Sequence, residues 1–446
     1  MDFASNQKPQ IDEMLKEIGI SQIDDLFEDI PSGLKIKAPQ LDDGISEYEA
    51  LRLMEALASK NSYASFDNYL GAGAYEHHIP ALVGAVCAKS EFLTSYTPYQ
   101  AEASQGMLQI IFEFQSAICA LTGLDAANAS VYDGASACAE GVLMALRNKK
   151  PRQKVLVAEA VHPHYRGVIS QYLLNTGSDL NLILFQEDFR TSLEKIKEQL
   201  DDQTAAVLVQ SPNFFGCIEP VREIAQMAKE AGALSILCAN PMSYGIYASA
   251  GELGADIAVG DCQPFGIPLQ FGGPYVGYMS CRQELVRQLP GRIAGETVDA
   301  QGRRGFVLTL QAREQHIRRE KATSNICTNQ ALGALASLVA MLWYGKEGIA
   351  ELALTNYQRA AYLRSELSRI QGVKVDVDAP IFNEFVAAFD RPIAEVQARF
   401  RRDGIEPGLE LARYFPSLNS HLLIAVTETK SEEQLNRYRD NYGNNL

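Results

Sequence analysis

The chain has 446 residues, a formal net charge of −15 and a hydrophobic fraction of 47%. This acidic balance excludes a broad electrostatic affinity for nucleic acid or for an anionic membrane, because both need clustered lysine and arginine. No apolar run is long enough to span a bilayer, and the polar, acidic N-terminus lacks the features of a secretory signal. Scattered cysteines without a CxxC pair favour a reducing cytoplasm and predict neither a zinc ribbon nor a thioredoxin-type motif.

The order of apolar patterns along the chain predicts three parts. Residues 1–90 read as a helical segment, in which Ser46 and Glu49 form a capping box ahead of a helix-period run. Residues 91–330 form a large α/β domain, and residues 331–446 form a smaller α+β domain. No linker, repeat or low-complexity tract separates these parts.

The large domain shows short aliphatic runs that alternate with helical stretches. A long buried helix ends at Gly123, before this alternation begins. Near-continuous apolar strands separated by helices are typical of a mostly parallel sheet that is covered on both faces. Strands are predicted at 154–160, 180–186, 204–210, 233–239, 255–260 and 275–280, with helices at about 164–175, 191–200 and 220–232.

Two segments of this domain are candidates for an anion or ligand site. In VYDGASACAEGV, Gly134 and Ser136 lie where a strand turns into a helix, so they could bind a phosphate or simply form an unliganded N-cap. His162 follows the 154–160 strand, where ligands of open α/β sheets bind, although a hydrogen-bonded loop histidine fits equally well. His162 and His164 are poorly spaced for two ligands on one helix face, and we expect no metal site.

Three further segments carry polar groups at strand or helix ends. DCQPFGIPLQFGGPY forms a stiff loop after a strand, and it contains no lysine. Tyr96 and Tyr99 bracket Thr97 and Pro98 at the entrance to a long helix, where they could line a pocket or pack as ordinary aromatics. In REKATSNICTNQAL, hydroxyl and amide side chains precede an apolar helix, which suits a cap or a donor-rich anion site.

Five segments in chain order together resemble one family. They are GAGAYEHHIP, SYTPYQAEASQG, DGASACAEG, FGIPLQFGGPYVGY and REKATSNICTNQAL, and they span roughly residues 60–345. In this order they are similar to glycine decarboxylase, the P-protein of the glycine cleavage system. At 446 residues, the chain is similar to the first subunit, alpha, of the two-subunit form. The resemblance implies the fold of type I pyridoxal-phosphate (PLP) transferases, which is aspartate aminotransferase-like.

Membership of this family implies a reaction in which glycine and lipoyl H-protein give CO2 and aminomethyl-H-protein, with PLP as the electron sink. The catalytic half of the family carries His-Lys-Thr after a late strand. Here the matching stretch at 262–264, allowing a one-residue gap, contains Gln263, an amide that cannot form an imine. The partner of the pyridine nitrogen is usually Asp, whereas this chain has Asn240.

These two departures predict that PLP is held by a partner beta subunit and that none is bound covalently to this chain. Gly134, Ser136, His162 and Gln263 would then be a vestigial cofactor site. The resemblance implies an α2β2 assembly in which each chain completes the site of its partner.

The resemblance also implies roles for two groups of residues at the partner's site. Thr323 and Ser324, in the ATSNICT segment, are expected to reach the phosphate of the partner's PLP. The other group would line the side that receives glycine and the lipoyl arm, and comprises Tyr96, Thr97, Tyr99 and Gln100.

Two other interpretations remain open. A non-catalytic scaffold would only dock H-protein or stabilise the beta subunit. A self-sufficient PLP decarboxylase would need another lysine, and Lys321 is the one inside a motif, although it precedes a helix rather than following a strand. The region 346–446 offers no candidate site.

Overall fold

The structure, a computed structural model, describes residues 6–36, 38–39, 41–93 and 97–443. It divides into two units, Met1–Ser62 and Tyr63–Leu446. None of the helices in the described part of the chain is both long and apolar enough to cross a membrane.

The described residues of the first unit form two α-helices, α1 (Lys8–Ile18) and α2 (Glu47–Ala58). The predicted capping box is confirmed, because the Ser46 side chain accepts from the Glu49 N–H and the Glu49 carboxylate accepts from the Ser46 N–H at 2.9 Å. None of the described residues of this unit is buried. Its helices therefore have no core of their own.

The second unit contains the remaining helices and all the strands that the described residues form. Its helices are α3 (Ala81–Cys87), α4 (Ser90–Leu93), α5 (Gln105–Thr122), α6 (Gly134–Asn148), α7 (Pro163–Leu173), α8 (Leu193–Gln199), α9 (Val221–Glu230), α10 (Gln315–Arg318), α11 (Ala331–Leu367), α12 (Ile393–Arg402) and α13 (Glu432–Gly443). Gly345 adopts a positive φ of 62° inside α11 and breaks it into two stretches.

The large sheet has seven strands in the order β2-β8-β7-β6-β5-β3-β4. The pairs β4–β3, β3–β5, β5–β6 and β6–β7 are parallel, whereas β8 and β2 add an antiparallel edge. The mostly parallel α/β architecture is thus confirmed, with strand ends within three residues of those predicted. The strands are β2 (Ala126–Ala127), β3 (Lys154–Ala158), β4 (Asp179–Ile183), β5 (Thr204–Gln210), β6 (Leu234–Cys238), β7 (Ile257–Asp261) and β8 (Gly277–Cys281).

The central strands are buried along nearly their whole length because helices cover both faces of the sheet. The long helix α5 ends at Gly123 in the left-handed conformation, as the sequence predicts. Burial of both faces explains why these strands read as continuous apolar runs rather than alternating ones.

The C-terminal part forms a separate antiparallel sheet in the order β11-β12-β15-β14. Two further pairs lie outside both sheets, one antiparallel (β9 with β10) and one parallel (β1 with β13). These strands are β1 (Asp67–Asn68), β9 (Ile293–Val298), β10 (Arg304–Thr309), β11 (Val373–Lys374), β12 (Glu384–Phe389), β13 (Ile405–Glu406), β14 (Leu409–Glu410) and β15 (His421–Ala425).

Candidate functional site

The N-terminus of α6 lies beside the carboxyl end of β7, where open α/β sheets place their ligands. Asp133 is the N-cap of this helix and accepts the Ser136 N–H at 2.7 Å. The Gly134 N–H donates to Asp261 at 3.0 Å. Two donors that could hold a phosphate are therefore already paired with carboxylates of the same chain, which would also repel an anion.

The imidazole of His162 lies at the same edge of the sheet and is buried. Its Nε2 lies 2.8 Å from the Ala72 carbonyl, and its Nδ1 accepts the His164 N–H at 3.1 Å. Burial lowers the pKa of His162 to about 4, so the ring is neutral near pH 7 and its Nε2–H donates to Ala72.

Tyr165 fills the space between His162 and the start of α6. Its ring stacks on the His162 ring, with centroids 4.8 Å apart and an interplanar angle of 27°. A Cβ added to Gly134 would lie 2.4 Å from the Tyr165 hydroxyl oxygen. Sequence reasoning missed Tyr165, although its position three residues after His162, at the start of α7, could have indicated that the two rings share one face.

Gln263 lies in the loop after β7, two residues beyond Asp261, the last residue of that strand. Its Oε1 accepts the Tyr75 N–H at 2.9 Å, and its Nε2 donates to the Tyr75 carbonyl at 2.9 Å and to the Ile267 carbonyl at 3.0 Å. The side chain is fully buried. The amide therefore fastens the glycine-rich segment around Tyr75 to the edge of the sheet.

The same glycine-rich segment is bonded to the C-terminal sheet. Glu384 accepts the Ala72 N–H at 2.6 Å and the Tyr75 hydroxyl at 2.6 Å. Burial raises the pKa of Glu384 to about 7 and raises that of Tyr75 well above its usual range. These contacts join residues about 300 positions apart, and the sequence carried no local signal for them.

Asp261 is the last residue of β7 and is buried. Its carboxylate accepts N–H groups from Gly134 at 3.0 Å, Gln263 at 2.9 Å and Val276 at 3.3 Å. Burial nevertheless raises its pKa to about 6.

At the end of β6, the Asn240 side chain accepts the Met242 N–H at 3.0 Å and so caps the following turn. It is bonded within that turn.

The cleft does not fit a PLP aldimine. The Gln263 side chain is an amide and cannot form an imine, and the Tyr165 ring stacks on the His162 ring. The structure thus brings Gly134, Ser136, His162 and Gln263 to one edge of the sheet, with the Tyr165 ring between His162 and Gly134.

The predicted residues before α5 divide into inward-facing and outward-facing ones. Tyr96 lies outside the described residues. Thr97 accepts a hydrogen bond from the buried guanidinium of Arg292, which also lies 5.7 Å from the centroid of the Tyr99 ring. The Tyr99 side chain is 74% exposed, and Gln100 is exposed as well.

The adjacent residues Thr323 and Ser324 have different surroundings. The Ser324 hydroxyl donates to Glu140 at 2.8 Å and accepts the Ile326 N–H at 3.0 Å, so it is engaged within its own chain. Thr323 is half-buried and lines a cleft of about 410 Å³ together with Arg313 and Lys321. Lys321 is exposed and ends a short 3-10 turn rather than following a strand.

Both groups of predicted residues meet at the dipeptide Gly291-Arg292. Arg313, which precedes Thr323 in the chain, donates to the Gly291 carbonyl at 2.8 Å, and Arg292 donates to Thr97. The ATSNICT segment and the start of α5 therefore both lie close to this buried dipeptide.

Solved structures share this architecture. One, described as a sphingosine-1-phosphate lyase from Burkholderia pseudomallei, superimposes with a TM-score of 0.67 over 92% of this chain and 93% of its own, at 15% identity. The fold is that of the type I PLP-dependent enzymes, with a large, mostly parallel sheet and a smaller C-terminal domain.

Residues 2–440 match the model of the glycine cleavage system P-protein, and the chain belongs to this family. A protein of Protochlamydia amoebophila, named probable glycine dehydrogenase (decarboxylating) subunit 1, is 66% identical over 98% of both chains. A Geobacillus protein of the same name is 48% identical over 96% of this chain and 95% of its own. A crystal structure of glycine decarboxylase (P-protein) in inhibitor-bound form covers 100% of both chains, with 41% identity and a TM-score of 0.92.

Proposed function

We propose that this chain is the alpha subunit of a glycine decarboxylase that converts glycine and lipoyl H-protein into CO2 and aminomethyl-H-protein, with PLP on a partner beta subunit. The observation that carries this proposal is Gln263, whose amide is hydrogen-bonded to Tyr75 and Ile267 where a Schiff-base lysine would be needed. The relatives named subunit 1 support the division into two kinds of chain. When bound in the complex, PLP supplies the electron sink.

This chain's contribution is to complete the partner's site across a pseudo-symmetric α2β2 interface in the cytoplasm. Thr323 reaches the phosphate of the partner's PLP, because it lines an open cleft and its hydroxyl makes a single long contact of 3.5 Å among the described residues. Tyr99 and Gln100 line the side that receives glycine and the lipoyl arm of H-protein, which their exposure supports. Tyr96 is part of the same proposal.

Two other residues support the scaffold interpretation. Ser324 donates to Glu140, and Thr97 accepts from Arg292, so both hydroxyls are used inside this chain. In that interpretation the surface around Gly291-Arg292 stabilises the beta subunit without contacting glycine or PLP.

A PLP titration of the purified chain tests the proposal first. We expect no internal-aldimine absorption band and no specific adduct after borohydride reduction, because Gln263 cannot form an imine. A stoichiometric band that is reduced onto one lysine would overturn the proposal, and peptide mapping would identify that lysine. Failure of the chain to form a complex with a co-expressed beta subunit would overturn it as well.

Reconstitution with the beta subunit separates pocket residues from a scaffold. We expect Tyr99→Phe and Thr323→Val to lower glycine–bicarbonate exchange in the assembled complex, whereas Tyr48→Phe, an exposed tyrosine of α2, should not. Wild-type exchange in both variants, with the complex intact, would favour the scaffold.

A further inference from the structure

The cleft beside Thr323 is lined by cations and by no carboxylate. Its volume is about 410 Å³, within the range of a small-molecule site. The charged residues that line it are Arg287, Arg313, Arg318 and Lys321.

None of these four cations forms an ion pair with any residue of 6–36, 38–39, 41–93 or 97–443. Nearby arginines behave differently: Arg282 pairs with Asp256 at 2.6 Å, and Arg304 pairs with Glu296 at 2.8 Å. In a chain with a net charge of −15, carboxylates are abundant. The four unpaired cations repel one another, which destabilises the folded chain. Together they also concentrate anions at the cleft.

Backbone carbonyls hold two of the guanidinium groups in place. Arg313 donates to the carbonyls of Leu289 and Gly291, the latter at 2.8 Å, and Arg318 Nε donates to the Ala312 carbonyl at 3.0 Å. Carbonyls orient a guanidinium without neutralising its charge, so the positive potential remains. The Nη atoms of Arg318 and the Lys321 ammonium then remain as donors for a ligand, and the Thr323 hydroxyl could exchange its long 3.5 Å bond to the Arg313 carbonyl for a shorter one to a ligand.

We propose that this cleft binds a phosphate monoester, with Arg287, Arg318 and Lys321 neutralising its charge and Thr323 donating a hydrogen bond. A phosphate monoester carries close to two negative charges and three acceptor oxygens, which matches several cations together with a hydroxyl. Charge-assisted hydrogen bonds of this kind are the strong ones in proteins. A singly charged carboxylate would leave most of the positive charge unbalanced.

The phosphate could come from the partner's PLP or from a free phosphorylated metabolite, since the chemistry is the same. The first source rests on the proposed function, in which Thr323 reaches the partner's cofactor. The site itself does not rest on it, because the four cations and the hydroxyl all belong to this chain.

Calorimetric titration of the isolated chain with inorganic phosphate at low ionic strength tests the site. We expect saturable binding that weakens at least tenfold, by about 1.4 kcal/mol, in Arg287→Ala/Lys321→Ala. Lys229→Ala, which removes an exposed lysine on α9, should bind as the wild type does. Both residues of the double variant are exposed, and neither side chain makes a hydrogen bond within the described residues, so its thermal unfolding should match that of the wild type.

Absence of phosphate binding to the wild-type chain, or equal binding to the wild type and the double variant, would overturn the proposal. The same titration of the complex with a PLP-loaded beta subunit identifies the source. Loss of the phosphate site there means that the partner's cofactor fills it, and retention means a free metabolite. These results differ from a failure of the proposed function, which would appear as PLP bound covalently to this chain or as no complex with the beta subunit.

Discussion

The ring of Tyr165 lies against the imidazole of His162, with the two centroids 4.8 Å apart and an interplanar angle of 27°. Ligands of open α/β sheets bind at this edge, and Tyr165, from the first turn of α7, lies there. The amide of Gln263, which is not an amine, and the Tyr165 ring beside His162 are two separate obstacles to an internal aldimine at this edge. Restoring one group alone should not restore the site.

Gln263→Lys should not produce an internal aldimine with PLP. The Tyr165 ring would still occupy the space beside His162, and the new ammonium would be buried next to backbone groups that the Gln263 amide now satisfies. The internal-aldimine band is measured by absorption spectroscopy with PLP in three variants, which are Gln263→Lys, Tyr165→Ala and the double variant. A stoichiometric aldimine in Gln263→Lys alone would contradict the filled-cleft interpretation.

Gly134→Ala should lower the free energy of unfolding by about 1–3 kcal/mol, because its methyl group would meet the Tyr165 hydroxyl oxygen at 2.4 Å. The loss should be smaller in a Tyr165→Phe background, which removes the nearest contacting atom. Urea unfolding of the wild type, Gly134→Ala, Tyr165→Phe and the double variant measures the coupling free energy between the two residues. Additive losses would mean that the two residues do not touch. Gly106→Ala, where an added methyl meets nothing within 4 Å, is the matched control.

The free energy of unfolding should fall as the pH rises from about 4.5 to about 7. Burial raises the pKa of Glu384 from 4.5 to about 7, so in this window the folded protein holds a proton that the unfolded chain has released. Its stabilising contribution is complete below the unfolded pKa and is lost as the pH passes the folded one. Burial of Asp261, whose pKa is raised to about 6, acts in the same direction.

Glu384→Gln should flatten this dependence by on the order of 3 kcal/mol, since the amide has no proton to lose and its oxygen can still accept the Ala72 N–H. Denaturant unfolding at pH 5 and pH 7.5 measures the change. Glu395→Gln, at an exposed carboxylate of α12, should keep the wild-type slope. An unchanged slope in Glu384→Gln would show that this carboxyl does not titrate in the window.

Ser324→Ala should destabilise the isolated chain, and Thr323→Val should not. Ser324 donates to the buried Glu140, whose other carboxyl oxygen already has no hydrogen-bond partner within the described residues. Removing the hydroxyl should cost about 1–3 kcal/mol, because a buried acceptor is left without its donor. Thermal unfolding compares the two variants. An equal loss in both would mean that Thr323 is also a structural residue.

Local patterns determined most of the secondary structure. The β5 strand has the bounds 204–210 that its pattern predicts, and α5 ends at Gly123 because glycine adopts the left-handed conformation there without strain. Chain order alone predicted that His162 lies at the carboxyl edge of the sheet, because this residue follows a predicted strand. The residue type of Gln263 was enough to predict that its side chain cannot form an imine.

The contents of the cleft could not be predicted from local patterns. Glu384 meets Tyr75 across 309 positions, and no periodicity encodes a contact at that separation. Ser324 and Thr323 look alike in the sequence as hydroxyl residues, and only the packing of α6 decides that one is bonded to Glu140 while the other lines a cleft. Local patterns likewise did not distinguish Tyr165 from an ordinary helical residue, because its role depends on packing against His162.

Tyr75 is bonded on one side to Gln263, which follows β7, and on the other to Glu384, the first residue of β12. One residue thus cross-links the large sheet to the C-terminal sheet through buried hydrogen bonds. Opening or closing of these two sheets around a substrate would break both bonds and leave a buried carboxyl unpaired. The glycine-rich segment therefore acts as a brace that holds the large sheet and the C-terminal sheet in one fixed arrangement.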